Sequence, residues 1–477
     1  MENTKQIKHS DKMREKSVGK LLFEMSLPAI ISMLVQALYN IVDSIFVSNT
    51  AKTYVEYFGA NLGDDSFTAV SIAFPMTMIV IAVALGIGIG ANAHIARKLG
   101  EGNVERANDS AKTAIVMSFI AWFILIILGL TISKPFISLF VNEGNATDVN
   151  YVVEQGALYL KLYLCLSFGG VLEITCERIL QATGNMKLPM ISQLTGAIIN
   201  IILDAVFILG FGWGVLGAIV ATVIGQWCAA GVAICFLTLK KQDVSISLKG
   251  YKPKREYFLS IIKTGTPAFV MNAMGSFITI ILNTLLKEGN GIFVLSAYFK
   301  VQSFIFMPVF GLMQGLMPIL SYNYGANLKE RFNKAFKLAL VVSFSIMAVG
   351  TVLFLTLPEF IMGVFTSDLD KIADGAYAFR VICICFIPAS VSIVIINMLQ
   401  SINKPFSSLL MSLCRQLIVL IPAAFILNWA FGQSGIWFCY PIAEILALIA
   451  FLPVARRNYK KQFEYKNMQY QKGLLKA

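Results

Sequence analysis

Twelve apolar runs, each long enough to cross a bilayer as a helix, constrain this chain more than any other feature. They lie near 21–47, 67–91, 111–132, 159–180, 188–209 and 215–239, then near 258–286, 292–320, 336–357, 381–399, 409–430 and 435–454. A spanning helix takes about 20 predominantly apolar residues, so twelve of them would use about 240 positions of the 477 available. The remainder suffices for short connections. Charge is correspondingly sparse, at 14% of residues against about 25% in soluble chains. A water-soluble multidomain enzyme, a disordered chain, a collagen and a coiled coil are excluded on these grounds. The expected fold class is all-α, a polytopic membrane protein with twelve transmembrane helices. The first run is too long for a signal-peptide core and no small-residue cleavage site follows it, so it is taken as a retained helix.

Basic residues sort the connections by side. Of 39 lysines and arginines, 31 fall on the N-terminus, alternate loops and the C-terminus, with Arg178 and Lys187 counted to the loop after the fourth run. The opposite loops hold Lys52, Lys134, Lys287 and Lys371, and the spans hold Lys161, Lys300, Arg380 and Arg415. The positive-inside rule then places both termini and the middle loop in the cytoplasm of a multi-pass plasma-membrane protein. The net charge of +12 orients the chain and meets anionic lipid; no nucleic-acid partner is expected. All eight cysteines sit in apolar stretches without zinc or redox spacing, and His9 and His94 are far apart. No cofactor and no dedicated metal site is expected.

The two halves repeat. Pro28-Ala29 in the first run matches Pro267-Ala268 in the seventh. Gly100 with Glu105-Arg106 and Asn108 matches Gly325 with Glu330-Arg331 and Asn333, at a constant offset of 225. Leu180-Gln181 matches Leu399-Gln400. Six helices per repeat is an even number, so both halves insert the same way up and are related by an axis along the membrane normal. The expected organisation is a short N-terminal segment (1–20), a first lobe (21–239), a polar, basic linker (240–257), a second lobe (258–455) and a C-terminal tail (456–477). Two bundles on one hinge suit alternating access by rocking.

Carboxylates are costly in the bilayer, about 2.5–3.5 kcal/mol at a helix centre on insertion scales, so those present tend to face a cavity or a partner. The candidates are Asp43, Glu173, Glu177, Asp204 and Glu444. Asn200 precedes Asp204 by one turn and shares its face, offering an amide oxygen beside a carboxylate, a donor set suited to a proton or a hard cation such as sodium. Counting from the start of the fifth run puts Asp204 about 24 Å along it, with Asp43 in the same outer half. Glu177 falls near the inner end of the fourth run. Its contact with Asp204 would need a steep tilt or a helix extending past Gln181. Gln36 and Tyr39 lie on the face of Asp43 and are candidate cavity residues, with Met33 and Met274 as an adaptable apolar wall. Gly86, Gly88 and Gly90 follow no strand and point to close helix packing. Arg415 and Lys300 are candidates to pair with Glu444.

With these residues in place, the chain resembles the multidrug and toxic compound extrusion (MATE) transporters, bacterial branch, over nearly all of 15–455. The resemblance rests on Leu27-Pro28-Ala29, on 39–47 (YNIVDSIFV), on 96–100 (ARKLG) and on 181–185 (QATGN). Its most specific block is Asn200 to Asp204 followed by 214–222 (GVLGAIVAT). It implies two six-helix lobes forming a V, a central cavity and cation-coupled drug efflux. It also implies a first-lobe cation site at Asp43, Asn200, Asp204 and Thr222, with Glu177 matching an acid that some relatives carry. The coupling ion stays open between proton and sodium. The expected activity is antiport by a monomer that exports amphipathic, cationic small molecules. The rival expectation is a lipid-linked oligosaccharide or polysaccharide flippase, which three of Lys161, Lys300, Arg380 and Arg415 in one cavity would favour. HExxH, Gly-x-Ser-x-Gly and Walker sequences are absent, so neither an enzyme nor an ATP-driven pump is expected.

Overall fold

The computed structural model describes residues 13–36, 38, 62–141, 149–239, 242–249, 251–286, 290–366 and 368–471. Among them helix dominates and no strand occurs. A chain in hydrocarbon has no water to satisfy its backbone, so each segment closes its hydrogen bonds internally. The first lobe comprises α1 (Val18–Gln36), α2 (Leu62–Gly100), α3 (Val104–Phe140), α4 (Val149–Leu166 and Phe168–Ala182), α5 (Lys187–Asp204) and α6 (Gly214–Leu239). The second comprises α7 (Arg255–Leu285), α8 (Gly291–Gly325), α9 (Lys329–Thr356), α10 (Leu369–Ile382 and Phe386–Ser401), α11 (Pro405–Leu413 and Leu420–Phe431) and α12 (Cys439–Gln471).

These are the twelve expected spans, several of them longer than their apolar runs. The fourth starts ten residues earlier than its apolar run and bends by 42° after Leu166, where the Ser167 hydroxyl bonds the Leu164 carbonyl. Polar residues such as Glu154 and Gln155 hide its first turns from a hydropathy count. The tail beyond 455 is not a loose segment: α12 continues to Gln471. At 1.5 Å per residue it runs about 50 Å, well beyond the roughly 30 Å hydrocarbon core.

The duplication is written into the backbone. All six residues with φ in the left-handed region, among those described, fall into three repeat pairs: Gly102 with Asn327, Gly184 with Asn403, and Gly212 with Gly432. The first two pairs turn the chain at equivalent points, glycine at no steric cost and asparagine at little.

The lobes meet through contacts that the repeat exchanges. A Cβ on Gly100 would lie 2.1 Å from the Tyr322 carbonyl oxygen, and one on Gly325 would lie 2.2 Å from that of Arg97. The offset of 225 converts one contact into the other. Gly86 against Phe269 and Gly311 against Ile30 form a second such exchange. A contact that maps onto itself is what a two-fold relation produces. The first exchange joins the ends of α2 and α8 to each other and the second packs α2 and α8 against α7 and α1, so the lobes are shut together at the end bearing the basic loops.

The α12 extension reinforces that end. Tyr324 donates to Gln462 Oε1 at 2.8 Å, Asn327 to Asn467 Oδ1 at 2.7 Å and Tyr459 to Asn333 Oδ1 at 2.6 Å. Lys466 crosses to Glu101 of the first lobe at 2.5 Å. The linker follows α3, with Ser245 N–H on Asn108 Oδ1 and Tyr251 Oη 2.7 Å from Thr113 Oγ1.

Candidate functional site

The buried residues of α5 include Ser192, Gly196, Asn200 and Asp204, spaced four apart. That spacing makes one narrow stripe, and small residues along it let α6 approach closely. The Ser192 hydroxyl donates to the Ala229 carbonyl at 2.6 Å, and Gly196 faces Gly225 of α6 backbone to backbone. The stripe ends in Asp204, which is fully buried. Asn200 joins it to α6: with its amide nitrogen turned toward the acid, it donates to Asp204 Oδ2 at 3.1 Å while its oxygen accepts from the Thr222 backbone N–H at 3.1 Å. Immediately after Asp204 the helix widens into a π-helical stretch, Ala205–Gly210, a departure that recurs at functional sites.

Asp204, Asn200 and Thr222 are therefore brought together as the sequence suggests. Asp43 and Tyr39 lie outside the described residues. Glu177 is buried on α4 with no hydrogen-bond partner for Oε1 among the described residues. It sits five residues, about 8 Å, before α4 ends at Ala182. Asp204 lies about 26 Å along α5. The helix does not extend further inward to close that difference in depth.

A central cavity of about 300 Å³ lies between the lobes. Its wall is largely apolar, with Met33, Met271, Met313 and Phe310, and it carries the amides of Asn397 and Gln416. Met33 is placed as expected. Met274 is half-buried and not part of this wall, its place being taken by Met271 one turn earlier. Gln36 faces the first lobe instead, its Oε1 lying 3.5 Å from Gln193 Nε2 of α5.

Arg178 reverses an expectation. Counted to the cytoplasmic loop although it falls within the last turn of the fourth apolar run, it belongs to α4 and lines the cavity. Gly88 leaves the room for it: a Cβ there would lie 2.7 Å from Arg178 Cγ. Its Nη1 donates to Gln181 Oε1 at 2.9 Å, and Gln181 reaches Gln314 of the second lobe at 3.4 Å. The basic residues that would have favoured a flippase are dispersed. Arg415 pairs with Glu444 at 2.8 Å, Arg380 pairs with Glu359 at 2.6 Å, and Lys161 and Lys300 are exposed on separate lobes. None of the four is in the cavity wall. Among the described residues no group of histidine, cysteine and acidic side chains could hold a metal ion.

Comparison with known proteins bears on this arrangement directly. The MatE family model matches twice, at residues 28–206 and 267–426, once in each lobe. The chain belongs to the MatE family. These transporters include the multidrug export protein MepA of Staphylococcus aureus strain MSSA476, 27% identical over 446 residues covering 91% of this chain and 93% of that protein. MepA of Staphylococcus saprophyticus is likewise 27% identical, over 444 residues covering 91% and 92%. The fold matches a MATE crystal structure in the straight conformation with a TM-score of 0.87 at 24% identity, over 97% of this chain and all of that one. A MatE chain of twelve helices is a multi-pass membrane transporter, a class apart from enzymes.

Proposed function

We propose that the chain is a cation-coupled antiporter that exports amphipathic small molecules across the plasma membrane, with both termini in the cytoplasm. The relatives' naming as multidrug export proteins supports the cargo class. The basic end would face inward under the positive-inside rule, which makes the described state sealed toward the cytoplasm.

One observation carries the coupling: a fully buried carboxylate, Asp204, tied through Asn200 to the neighbouring helix at the start of a widened turn. An intramembrane acid so placed is costly to retain without a role. Loading it with an inward-moving proton or sodium ion changes its charge and its bonds to α6. Asp43, Asn200 and Thr222 complete the proposed cation site. Export follows because the loaded and unloaded lobes differ in affinity for cargo, since only differential binding shifts a conformational equilibrium. The methionine-rich wall suits amphipathic bodies of varied shape. The cationic cargo expected from sequence finds a guanidinium and no carboxylate among the described lining residues, so amphipathic character defines the proposed cargo, not positive charge.

Proteoliposomes given a proton or a sodium gradient, one at a time, test the proposal. Dye efflux should follow one of them, and Asp204→Asn should abolish it while leaving the protein folded. Efflux by that variant at the wild-type rate would end the coupling role.

A further inference from the structure

A second cavity, about 580 Å³, opens at the basic end between the lobes. Arg97 and Lys98 of α2 line it from the first lobe, Lys263 of α7 and Lys466 of α12 from the second. Arg97 is 6% exposed, and its Nε and Nη2 have no hydrogen-bond partner among the described residues. Buried guanidinium nitrogens are almost always paired, so an unpaired one in the wall of a cavity of this size calls for an acceptor. Glu101 does not supply it. Its carboxylate is taken by Lys98 at 2.8 Å and by Lys466 at 2.5 Å. Glu256, the other acid of the wall, is exposed at the rim and forms no ion pair among the described residues. Four basic groups against two acids leave the cavity net positive, with the buried guanidinium at its floor and the exposed Lys263 at its mouth.

We propose that this cavity is an anion site for a phosphate group, and that its occupant holds the lobes together at the basic end. Guanidinium and ammonium groups are the usual partners of phosphate oxygens, the guanidinium through directed, charge-assisted bonds. The site is assembled only while α2 packs against α7 and α12, because Arg97 and Lys263 belong to different lobes. A ligand that binds only the assembled site shifts the equilibrium toward the closed basic end. The site is separate from the central cavity and from Asp204, so it would regulate export without contacting cargo. The phosphate has two possible sources, the headgroup of an anionic phospholipid or a phosphate-bearing solute.

The test uses the full-length protein in nanodiscs, labelled at Val104 and Glu330 for distance measurement. One arm adds inorganic phosphate in zwitterionic lipid, with chloride at equal ionic strength as control. The other arm compares phosphatidylglycerol with phosphatidylcholine. A rise in the short-distance population in either arm, weakened about tenfold in apparent affinity by Arg97→Gln and partly restored by Arg97→Lys, which keeps the charge without the guanidinium's directed bonds, is the expected result. The arm that responds identifies the source. Lys263→Gln, an exposed substitution that leaves the floor of the site intact, should weaken the same response without altering the fold. No response in either arm, or a response that Arg97→Gln and Lys263→Gln leave unchanged, would overturn the proposal. These measurements do not depend on cargo or on the driving ion, so they can fail while the antiport proposal stands, and the reverse.

Discussion

Gly265→Ala should open the transporter at its basic end. The Cβ it adds would lie 1.8 Å from the Gly86 carbonyl oxygen, whereas carbon and carbonyl oxygen approach to about 3.3 Å at closest, so the two helices must part by about 1.5 Å. The obstacle is backbone on both sides, with no side chain free to rotate away. Overpacking of this kind costs about 1–3 kcal/mol, and in a two-state protein that cost falls on the closed state alone. The closed-to-open ratio should therefore drop roughly five- to 150-fold. Distance distributions between labels on Val104 and Glu330, at the first turns of α3 and α9 in different lobes, would show the long-distance population rising. A wild-type distribution in the Gly265→Ala protein would refute the claim that this glycine pair sets how tightly the lobes shut.

Other substitutions probe other parts of the account. Arg415 and Glu444 form a buried pair in the second lobe at 2.8 Å, and removing one partner strands the other, at about 3–5 kcal/mol. Glu444→Gln or Arg415→Met alone should lower the melting temperature sharply and the double variant Arg415→Met/Glu444→Leu should recover most of the loss; additive losses would contradict a paired role. Glu101 lies in the turn after α2, where burial disfavours its charge but Lys466 and Lys98 outweigh that and hold its carboxyl below the usual value. A carboxylate held low contributes stability that is complete above about pH 4.3 and is lost as pH falls through its lowered value. The melting-temperature gap between wild type and Glu101→Gln should thus be present at neutral pH and close in acid, and a gap independent of pH would rule the pair out as its source. Gly184→Ala places a side chain at φ 85°, a left-handed position that costs about 1 kcal/mol, and a melting temperature unchanged within error would show that turn to be dispensable.

The spans and the duplication were legible in the sequence because both follow from patterns that tertiary packing cannot override: apolar length, and landmarks recurring at fixed offsets. The Asn200–Asp204 pairing was legible for the same reason, since residues one turn apart share a face whatever surrounds them. Arg178 was not. Its charge and its position in the last turn of a span counted it to the loop, whereas the face of α4 that it occupies, with Gly88 opposite, turns it into the cavity. The docked α12 extension was not legible because polar and basic residues dominate its sequence; the half-buried Tyr459 and the buried Phe463 and Lys466 lie at helical spacing and held the signal. Neither π-helical stretch, Ala205–Gly210 nor Cys414–Ile418, has a composition that distinguishes it from ordinary helix. The site at the basic end leaves no pattern in the sequence, since its basic groups come from α2, α7 and α12.

The central claim is that the charge state of Asp204 sets which way the lobes lean. Its most direct test is the distance between the lobes at the basic end, followed while the proton or sodium concentration is titrated with no cargo present. In the wild-type protein the closed and open populations should exchange as the coupling ion binds, and in Asp204→Asn they should stay fixed throughout the titration. An Asp204→Asn protein whose populations move with the same midpoint and amplitude as the wild type would contradict it.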